Sequence, residues 1–364
     1  MKIVIVGGHL SPALAVIGKL KNEDVFYIGR KYAFEKDAAI SLEYQEIIKL
    51  GIPFYSINAA RLQRKFTKQT IPSLAKFPSG FFDSLKILKQ IRPDVVLGFG
   101  GYVSLPVILA AFILKIPTVI HEQTSEAGLA NKIEAKFVNK VCISWETSRK
   151  YFPKDKTVIT GNPLGENILN IKPVKKNDGL PVVYITGGSG GSHIINSLVE
   201  KSLGQLLKRF ILVHQTGDSK EYNDFERLSS EKNKLDSAIA KNYHLQKFYS
   251  PKDMAQNLAN ADLVVGRAGI NTVTELIFLA KPAFLIPLPF AQKNEQLKNA
   301  MFLKELGLGE IGIQKTLTAE KFISTILTMF SNLEMYKIKE NIQIEKAAEN
   351  IVGVVKNVST KKTT

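Results

Sequence analysis

The segment PVVYITGGSGG (residues 181–191) decides the fold, because an apolar, β-rich run leads into a glycine-rich turn directly before a helical segment. This order is typical of the βα units of parallel sheets. The chain opens in the same way, where KIVIV (2–6) runs into GGH (7–9) and a helix with apolar periodicity from Pro12. Two such openings predict an α/β protein with two tandem doubly wound parallel sheets.

Further strand-like runs follow at intervals that leave room for helices between them. The polar segment 167–180 separates the two halves and predicts domains at 1–163 and 164–335. The longest apolar stretch, 103–114, is shorter than the ~20 residues that span a bilayer, so it predicts a buried helix. The other strand-like runs are DVFYIG (24–29), PDVVLGFGG (93–101), PTVIHEQ (117–123), KVCIS (140–144), FILVHQTG (210–217), YHLQKFY (243–249), ADLVVGRAG (261–269) and PAFLIPLP (282–289).

The composition is that of a globular protein with an unusual charge. Of 364 residues, 45% are hydrophobic and 23% charged, which excludes disordered and fibrous classes. The 49 Lys and Arg residues against 33 Asp and Glu give a net charge of +16, which favours anionic partners such as phosphates, acidic lipids or nucleic acid. The single cysteine, Cys142, excludes an internal disulfide and fits a reducing cytoplasm.

The turn GGSGGS (187–192) carries the clearest chemical indication. Glycines there let the main chain approach a ligand closely, and the following helix offers free N–H groups and a positive dipole end to a phosphate. No lysine follows as in a Walker motif, which disfavours a P-loop nucleotidase. The alternative is a tight βα turn without a ligand.

Three other turns supply candidate groups. His9 follows strand 1, where open α/β sheets bind ligands, and an imidazole can act as a general base at neutral pH. The alternative is a capping or structural histidine. A glycine turn at 98–102 ends at the same sheet edge. After GRAG (266–269), Glu275 lies in the first turns of a helix, where it could accept hydrogen bonds from ribose; the alternative is a carboxylate favoured by the helix dipole.

Several catalytic patterns are missing from the sequence. No His, Cys, Asp and Glu cluster has metal-ligand spacing, so we expect no metal and no other cofactor. The sequence also lacks a G-x-S-x-G elbow and, in the first turn, a full G-x-G-x-x-G. Hydrolases and dinucleotide-dependent dehydrogenases are disfavoured accordingly.

Residues 61–89 combine seven Lys and Arg residues with a single acid, Asp83, and many aromatic and aliphatic residues. Cations around apolar side chains suit the surface of an anionic membrane. The alternative is a solvated helix face over ordinary core. No nucleic-acid-binding motif is recognisable, so we expect no nucleic-acid partner. The predicted membrane patch consists of Arg64, Lys65, Phe77, Phe81 and Phe82.

Eight stretches occur in the order typical of the MurG family, which the chain therefore resembles. This family comprises peripheral membrane glycosyltransferases that convert lipid I to lipid II in peptidoglycan synthesis. The stretches are GGHLSPALAV (7–16), PDVVLGFGGYVSLP (93–106), IPTVIHEQ (116–123), AGLANK (127–132), GNP (161–163), GGSGGSHIIN (187–196), ADLVVGRAGINTVTEL (261–276) and EQLKNA (295–300).

The resemblance implies a GT-B fold, in which two Rossmann-like domains face a central cleft. Residues 1–163 would bind acceptor and membrane, 164–335 would bind UDP-GlcNAc, and a last helix over about 336–358 would return to the first domain. The implied reaction is metal-independent, inverting transfer of GlcNAc from UDP-GlcNAc to lipid I, the undecaprenyl-diphosphate-linked MurNAc-pentapeptide. It would take place at the cytoplasmic face of the cell membrane, with other cell-wall or division proteins as possible partners.

The resemblance also assigns roles to residues. His9 would take the proton from the C4 hydroxyl of the acceptor, and Ser189 would bind the donor diphosphate. Glu275 and Thr272 would hold ribose and sugar, Gln296 the nucleotide or sugar, and the main chain near Tyr249 the uracil. The donor set is Thr124, Ser189, Tyr249, Ile270, Asn271, Thr272, Val273, Glu275 and Gln296. The acceptor set is Gly7, Gly8, Gly100, Gly101 and Tyr102 at the diphosphate, with His121, Glu122 and Gln123 lining the cleft.

Three departures from the family pattern bear on these roles. The first turn is three residues shorter than the usual G-G-T-G-G-H, and Thr124 replaces an Asn that contacts the donor sugar. Gly165 stands where relatives often have Arg. Alternative functions are a related enzyme that uses a UDP-sugar with another lipid acceptor and a UDP-GlcNAc 2-epimerase. A non-enzymatic basic binding protein would leave the glycine turns unexplained.

Overall fold

A computed structural model describes residues 1–32, 40–57, 77–174, 179–188, 190–219, 221–290, 294–338 and 344–360. The chain divides into two compact units, Met1–Gly165 with Gln343–Thr364, and Glu166–Ile342. The domain boundaries predicted at 163 and 335 lie close to these divisions. Among the described residues, no helix has the length and apolar character needed to cross a membrane.

The first unit contains a seven-stranded parallel sheet. Its central strands, such as Val95–Gly98, are buried along their whole length, because helices cover both faces of the sheet. The strand order is β3-β2-β1-β4-β5-β6-β7. The strands are β1 Lys2–Val6, β2 Asp24–Gly29, β3 Phe54–Ser56, β4 Val95–Gly98, β5 Thr118–Glu122, β6 Lys140–Ile143 and β7 Thr157–Ile159; the helices are α1 Leu10–Ile17, α2 Leu42–Lys49, α3 Phe77–Ile91, α4 Gly101–Ile113 and α5 Leu129–Glu134, with a 3-10 helix Glu146–Tyr151.

The second unit repeats this design with six parallel strands in the order β10-β9-β8-β11-β12-β13. Its apolar core lies between the sheet and the helices that follow β8 and β13. The strands are β8 Val182–Thr186, β9 Ile211–Gln215, β10 Tyr243–Gln246, β11 Leu263–Gly266, β12 Ala283–Leu285 and β13 Gly309–Ile311; the helices are α6 Glu166–Leu169, α7 His193–Leu207, α8 Asp224–Asn233, α9 Ser237–Ala240, α10 Pro251–Asn260, α11 Ile270–Phe278, α12 Glu295–Glu305 and α13 Ala319–Ser331, with a 3-10 helix Leu333–Met335.

The last helix, α14 (Ala347–Thr360), belongs to the first unit. Its apolar face, which includes Ile351 and Val355, is buried in the same core cluster as β1 residues Ile3 and Ile5. The predicted helix start near 336 is wrong. Tyr336 is not helical; its ring packs against the apolar core of the second unit.

Replacing Ile351 by Ala should lower the free energy of unfolding by about 2–4 kcal/mol, because the change leaves a cavity in a fully buried cluster. Asn357→Ala, at an exposed position of the same helix, should change it by less than ~0.5 kcal/mol. Urea unfolding of both variants measures the difference. Equal stability of the two variants would show that α14 does not contribute to this core.

Candidate active site

Two glycine turns pack against each other at the carboxyl edge of the first sheet. The turn after β1 contains Gly8, and the turn after β4 contains Gly100 and Gly101, both with positive φ (73° and 76°). A Cβ built on Gly8 would lie 2.1 Å from the carbonyl oxygen of Gly100, so any side chain there would separate the turns. Close packing within this unit therefore requires glycine at position 8.

His9 ends the first of these turns and precedes α1. Its side chain makes no capping hydrogen bond to the described N–H groups of that helix, which argues against a purely capping role. The residue is exposed to solvent, yet desolvation by the surrounding protein lowers the pKa of His9, while the Glu122 carboxylate opposes this effect. A lowered pKa favours the neutral imidazole at pH 7, the form that can accept a proton.

Glu122, at the end of β5, is the centre of a buried hydrogen-bond network. Its Oε1 accepts from the main-chain N–H of Thr124 (3.0 Å), and its Oε2 accepts from the N–H of Gly128 (2.8 Å) and from Nδ2 of Asn131 (2.9 Å). Only 2% of Glu122 is exposed. The carboxylate therefore orders the loop between β5 and α5 and acts on His9 through its charge.

The neighbours of Glu122 are also buried. The Thr124 hydroxyl lies 2.7 Å from Oε1 of Glu122 and 2.6 Å from the carbonyl oxygen of Glu126. Its hydrogen bonds are therefore made within the loop itself. His121 places Nε2 3.2 Å from the carbonyl oxygen of Gly161, and burial lowers the pKa of His121 to about 4. Gln123 is only 4% exposed. These side chains are therefore enclosed by protein.

In the second unit, glycines again allow close approach at the carboxyl edge. A Cβ on Gly191 would lie 2.1 Å from the carbonyl oxygen of Thr216, in the turn after β9. Gly188 and Gly191 both have positive φ. Ser192 caps α7, its Oγ accepting from the N–H of Ile195 (3.5 Å). Ser189 lies outside the described residues, so its predicted contact with a diphosphate stays a prediction.

The other predicted donor residues follow β10, β11 and β12. Ile270 and Val273 are buried, so their side chains pack in the core and only their main chain could meet a ligand. Asn271 and Thr272 are half-buried beside them at the start of α11. Tyr249 donates its N–H to Oε1 of Gln215 (3.2 Å).

Glu275 and Gln296 are held differently. Glu275 is half-buried on α11, and burial raises the pKa of Glu275 to about 7. A carboxyl group that titrates near neutrality can either accept or donate a hydrogen bond to a sugar hydroxyl. Oε1 of Gln296 accepts from the N–H of Leu288 (3.0 Å), so that side chain holds the loop after β12.

The predicted membrane patch is only partly described. Arg64 and Lys65 lie outside the described residues, and Phe77 begins α3. Phe82 is 66% exposed, as a membrane contact requires. Phe81 is half-buried: it packs against the core of the first unit, and its ring also contacts that of Phe82, so its place in the patch stays a prediction.

Comparison with known proteins covers nearly the whole chain. Residues 6–143 match the Glycosyltransferase family 28 N-terminal domain, and residues 182–354 match the family 28 C-terminal domain. A UDP-N-acetylglucosamine–N-acetylmuramyl-(pentapeptide) pyrophosphoryl-undecaprenol N-acetylglucosamine transferase of Pediococcus pentosaceus is 35% identical over 97% of both chains. The protein of that name from Clostridium tetani is 31% identical over 99% of both. The chain belongs to the MurG family.

Solved structures agree with this membership. The crystal structure of Acinetobacter baumannii MurG superposes with a TM-score of 0.74 at 27% identity, over 98% of this chain and 99% of that one. A UDP-GlcNAc 2-epimerase from Neisseria meningitidis has a TM-score of 0.65 at 14% identity, a likeness that shows the fold alone. The predicted family and the predicted pair of doubly wound parallel sheets are confirmed.

Two residues of this MurG-family chain were given no role by the sequence. Nδ2 of Asn131 also donates to the carbonyl oxygen of His121 (3.2 Å), and a Cβ on Gly100 would lie 2.9 Å from Asn131 Oδ1. Glu134 is fully buried, and its Oε2 accepts from Oγ of Ser104 (3.2 Å). Burial raises the pKa of Glu134 to about 8. Both residues lie on the buried face of the short helix α5. The only indication in the sequence was that polar residues occur in this otherwise apolar segment.

We expect the buried Glu134 to make folding stability depend on pH. Its pKa is raised on folding, so the folded state holds the proton between pH ~4.5 and ~8, and stability falls as pH rises through this window. Glu134→Gln removes the titration. Its stability relative to the parent protein should therefore rise between pH 5 and pH 8, on the order of 3 kcal/mol in urea unfolding.

Glu146→Gln is the matched control, because a hydrogen bond from Arg149 lowers the pKa of Glu146 and keeps it ionised over this range. It should leave the pH dependence of the parent protein unchanged. A Glu134→Gln variant with the same pH dependence as the control would show that Glu134 is ionised in the folded protein.

Proposed function

We propose that the protein transfers GlcNAc from UDP-GlcNAc to lipid I and so forms lipid II, with inversion at C1 of the sugar. The observation that carries this proposal is identity of 31–35% with transferases of that name over at least 97% of the chain. The local geometry supports it, because each sheet presents glycine-rich turns and a helix N-terminus at its carboxyl edge. Such edges are where open α/β folds hold phosphate-bearing ligands.

The first unit would activate the acceptor. Neutral His9 takes the proton from the C4 hydroxyl as that oxygen forms its bond to C1 of GlcNAc. The buried Glu122 carboxylate stabilises the imidazolium that results, since its charge raises the pKa of His9. Gly100, Gly101 and the N-terminus of α4 present main-chain N–H groups to the acceptor diphosphate.

The second unit would hold the donor. As the C1–O bond breaks, its electron pair passes to the β-phosphate oxygen of UDP. The N-terminus of the fifteen-residue helix α7 provides the positive potential that stabilises this charge, and the mechanism assigns no step to a metal ion. Glu275 accepts from ribose, and the main chain near Tyr249 meets the uracil.

The reaction is tested with labelled UDP-GlcNAc and a soluble lipid I analogue, which should yield a labelled disaccharide lipid. His9→Ala should lower kcat by ~100-fold or more, the usual contribution of a general base, while the Kd for UDP stays unchanged. With His9 present, kcat/KM should rise with pH until the imidazole is neutral, and then stay level through pH 7. His244→Ala, at an exposed histidine of β10, is the control.

Near-normal turnover with weakened UDP binding in His9→Ala would contradict the base assignment. No transfer by the parent protein, combined with tight UDP binding, would keep the donor site and point to another acceptor. Release of an epimerised sugar from the donor alone would contradict the proposed reaction class.

We also propose that the protein associates peripherally with an anionic membrane through its first unit. Phe112 and Ile113, at the end of α4, are 52% and 60% exposed. Phe112 borders a groove of about 600 Å³ whose lining includes four lysines, Lys115, Lys136, Lys140 and Lys156. Exposed apolar side chains beside cations can enter the lipid interface while the ammonium groups meet phosphates.

Substituting both Phe112 and Ile113 by Ser should weaken binding to vesicles with anionic lipids at least ~10-fold, because two large apolar side chains no longer enter the interface. Sedimentation with vesicles at low and high salt measures this effect. Met335→Ser, at a methionine that is 74% exposed in the second unit, should bind as the parent protein does. Equal binding by all three proteins would contradict the proposed surface.

A further inference from the structure

A carboxylate with no role so far touches the turn that leads to His9. Glu43 lies in the first turn of α2, and a Cβ built on Gly7 would lie only 1.7 Å from Oε1 of Glu43. The main chain of Gly7 cannot withdraw easily, because its N–H donates to the carbonyl oxygen of Ile28 (2.9 Å) at the end of the β1–β2 ladder. The carboxylate thus occupies the space where another residue at position 7 would carry its side chain.

Both carboxylate oxygens of Glu43 are fixed by donors. Oε1 accepts from the hydroxyl of Tyr27 (2.7 Å), and Oε2 accepts from the main-chain N–H of Arg30 (3.1 Å). Tyr27 is fully buried, and burial together with the charge of Glu43 raises the pKa of Tyr27, so that its hydroxyl remains a donor. The carboxylate therefore has one orientation, set by the core of the unit.

The same helix end holds the residue that follows β2. The hydroxyl of Ser41, the N-cap of α2, donates to the carbonyl oxygen of Arg30 (2.6 Å), while Glu43 holds its N–H. With both main-chain groups fixed, the guanidinium of Arg30 lies 4.8 Å from the ring centre of Tyr102, next to Gly101. Glu43 thus joins the chain after β1 to the chain after β2, and the Arg30 side chain links it to Tyr102 in the first turn of α4.

We propose that Glu43 is a positioning residue for the transfer reaction. By filling the space beside Gly7 and accepting from the N–H of Arg30, it fixes the turn that presents His9 and the pair formed by Arg30 and Tyr102. It acts through packing and hydrogen bonds and does not touch the reacting atoms. This proposal rests on the proposed function, in which His9 is the base.

The first test compares Glu43→Ala with Glu46→Ala on the same helix, where the Glu46 carboxylate pairs only with Lys49 (2.6 Å) among the contacts described. Glu43→Ala should lower kcat by ~10- to 100-fold, the range expected for a base displaced by about an ångström. The Kd for UDP should stay within about twofold of the parent value, since the donor site lies on the other unit. Glu46→Ala should match the parent protein in both.

Glu43→Gln should give an intermediate loss, because its amide oxygen can accept from one donor while its NH₂ group faces the other. Gly7→Ala provides an independent test, since its Cβ and the carboxylate compete for one space. The double variant Gly7→Ala with Glu43→Ala should lose no more activity than the worse single variant. Losses that multiply would show independent action and overturn the proposal.

A spectroscopic readout separates this proposal from the proposed function. The ring signal of His9, assigned by its disappearance in His9→Ala, should shift in Glu43→Ala and stay in place in Glu46→Ala. The expected shift of the His9 signal does not depend on whether the parent protein uses the lipid I analogue. A failure to transfer GlcNAc to that analogue would count against the proposed reaction alone. An unmoved His9 signal, or equal kcat in the two alanine variants of α2, overturns the positioning role.

Discussion

The contact between Gly8 and the Gly100 carbonyl governs the geometry of the first unit's site. A side chain at position 8 would lie within 2.1 Å of that oxygen, so the turns after β1 and β4 can meet only as bare main chain. This contact places Gly8, the residue before His9, beside the N-terminus of α4, and it depends on the parallel register that ends β1 and β4 at the same edge. The catalytic proposal therefore rests on main-chain packing before any ligand is considered.

Polar side chains support these turns from beneath. Glu122 and Asn131 order the loop before α5, and Asn131 approaches Gly100 closely. On the other side, the Glu43 carboxylate fills the space beside Gly7. A carboxylate withdrawn from water is costly unless donors satisfy it. Glu122 is buried and Glu43 is half-buried, and main-chain and side-chain groups donate to both. These hydrogen bonds hold the turns of the site in one arrangement.

The titratable groups of the two units differ in protonation because they differ in burial. His9 reaches solvent and is suited to exchange a proton, whereas His121 and Glu134 are enclosed and held in their neutral forms by burial. Glu275 lies between these extremes, since partial burial brings its pKa close to neutrality. Residue type alone does not distinguish these roles, because they arise from desolvation and neighbouring charge.

Sequence by itself determined the fold class and the family. Continuous apolar runs followed by glycines are typical of buried parallel strands with tight βα turns. Because these patterns are local in the chain, the sequence alone predicts them. It also named His9, Glu275 and the turns around Gly8 and Gly100 as candidates, because turn glycines and the residues beside them are neighbours in the chain. Only the tertiary structure decided that Phe81 packs partly against the core, that Ile270 and Val273 are buried, and that α14 begins at Ala347. It alone showed that Glu43 meets Gly7, since 36 positions of chain separate them and a parallel sheet joins residues by folding rather than by sequence proximity.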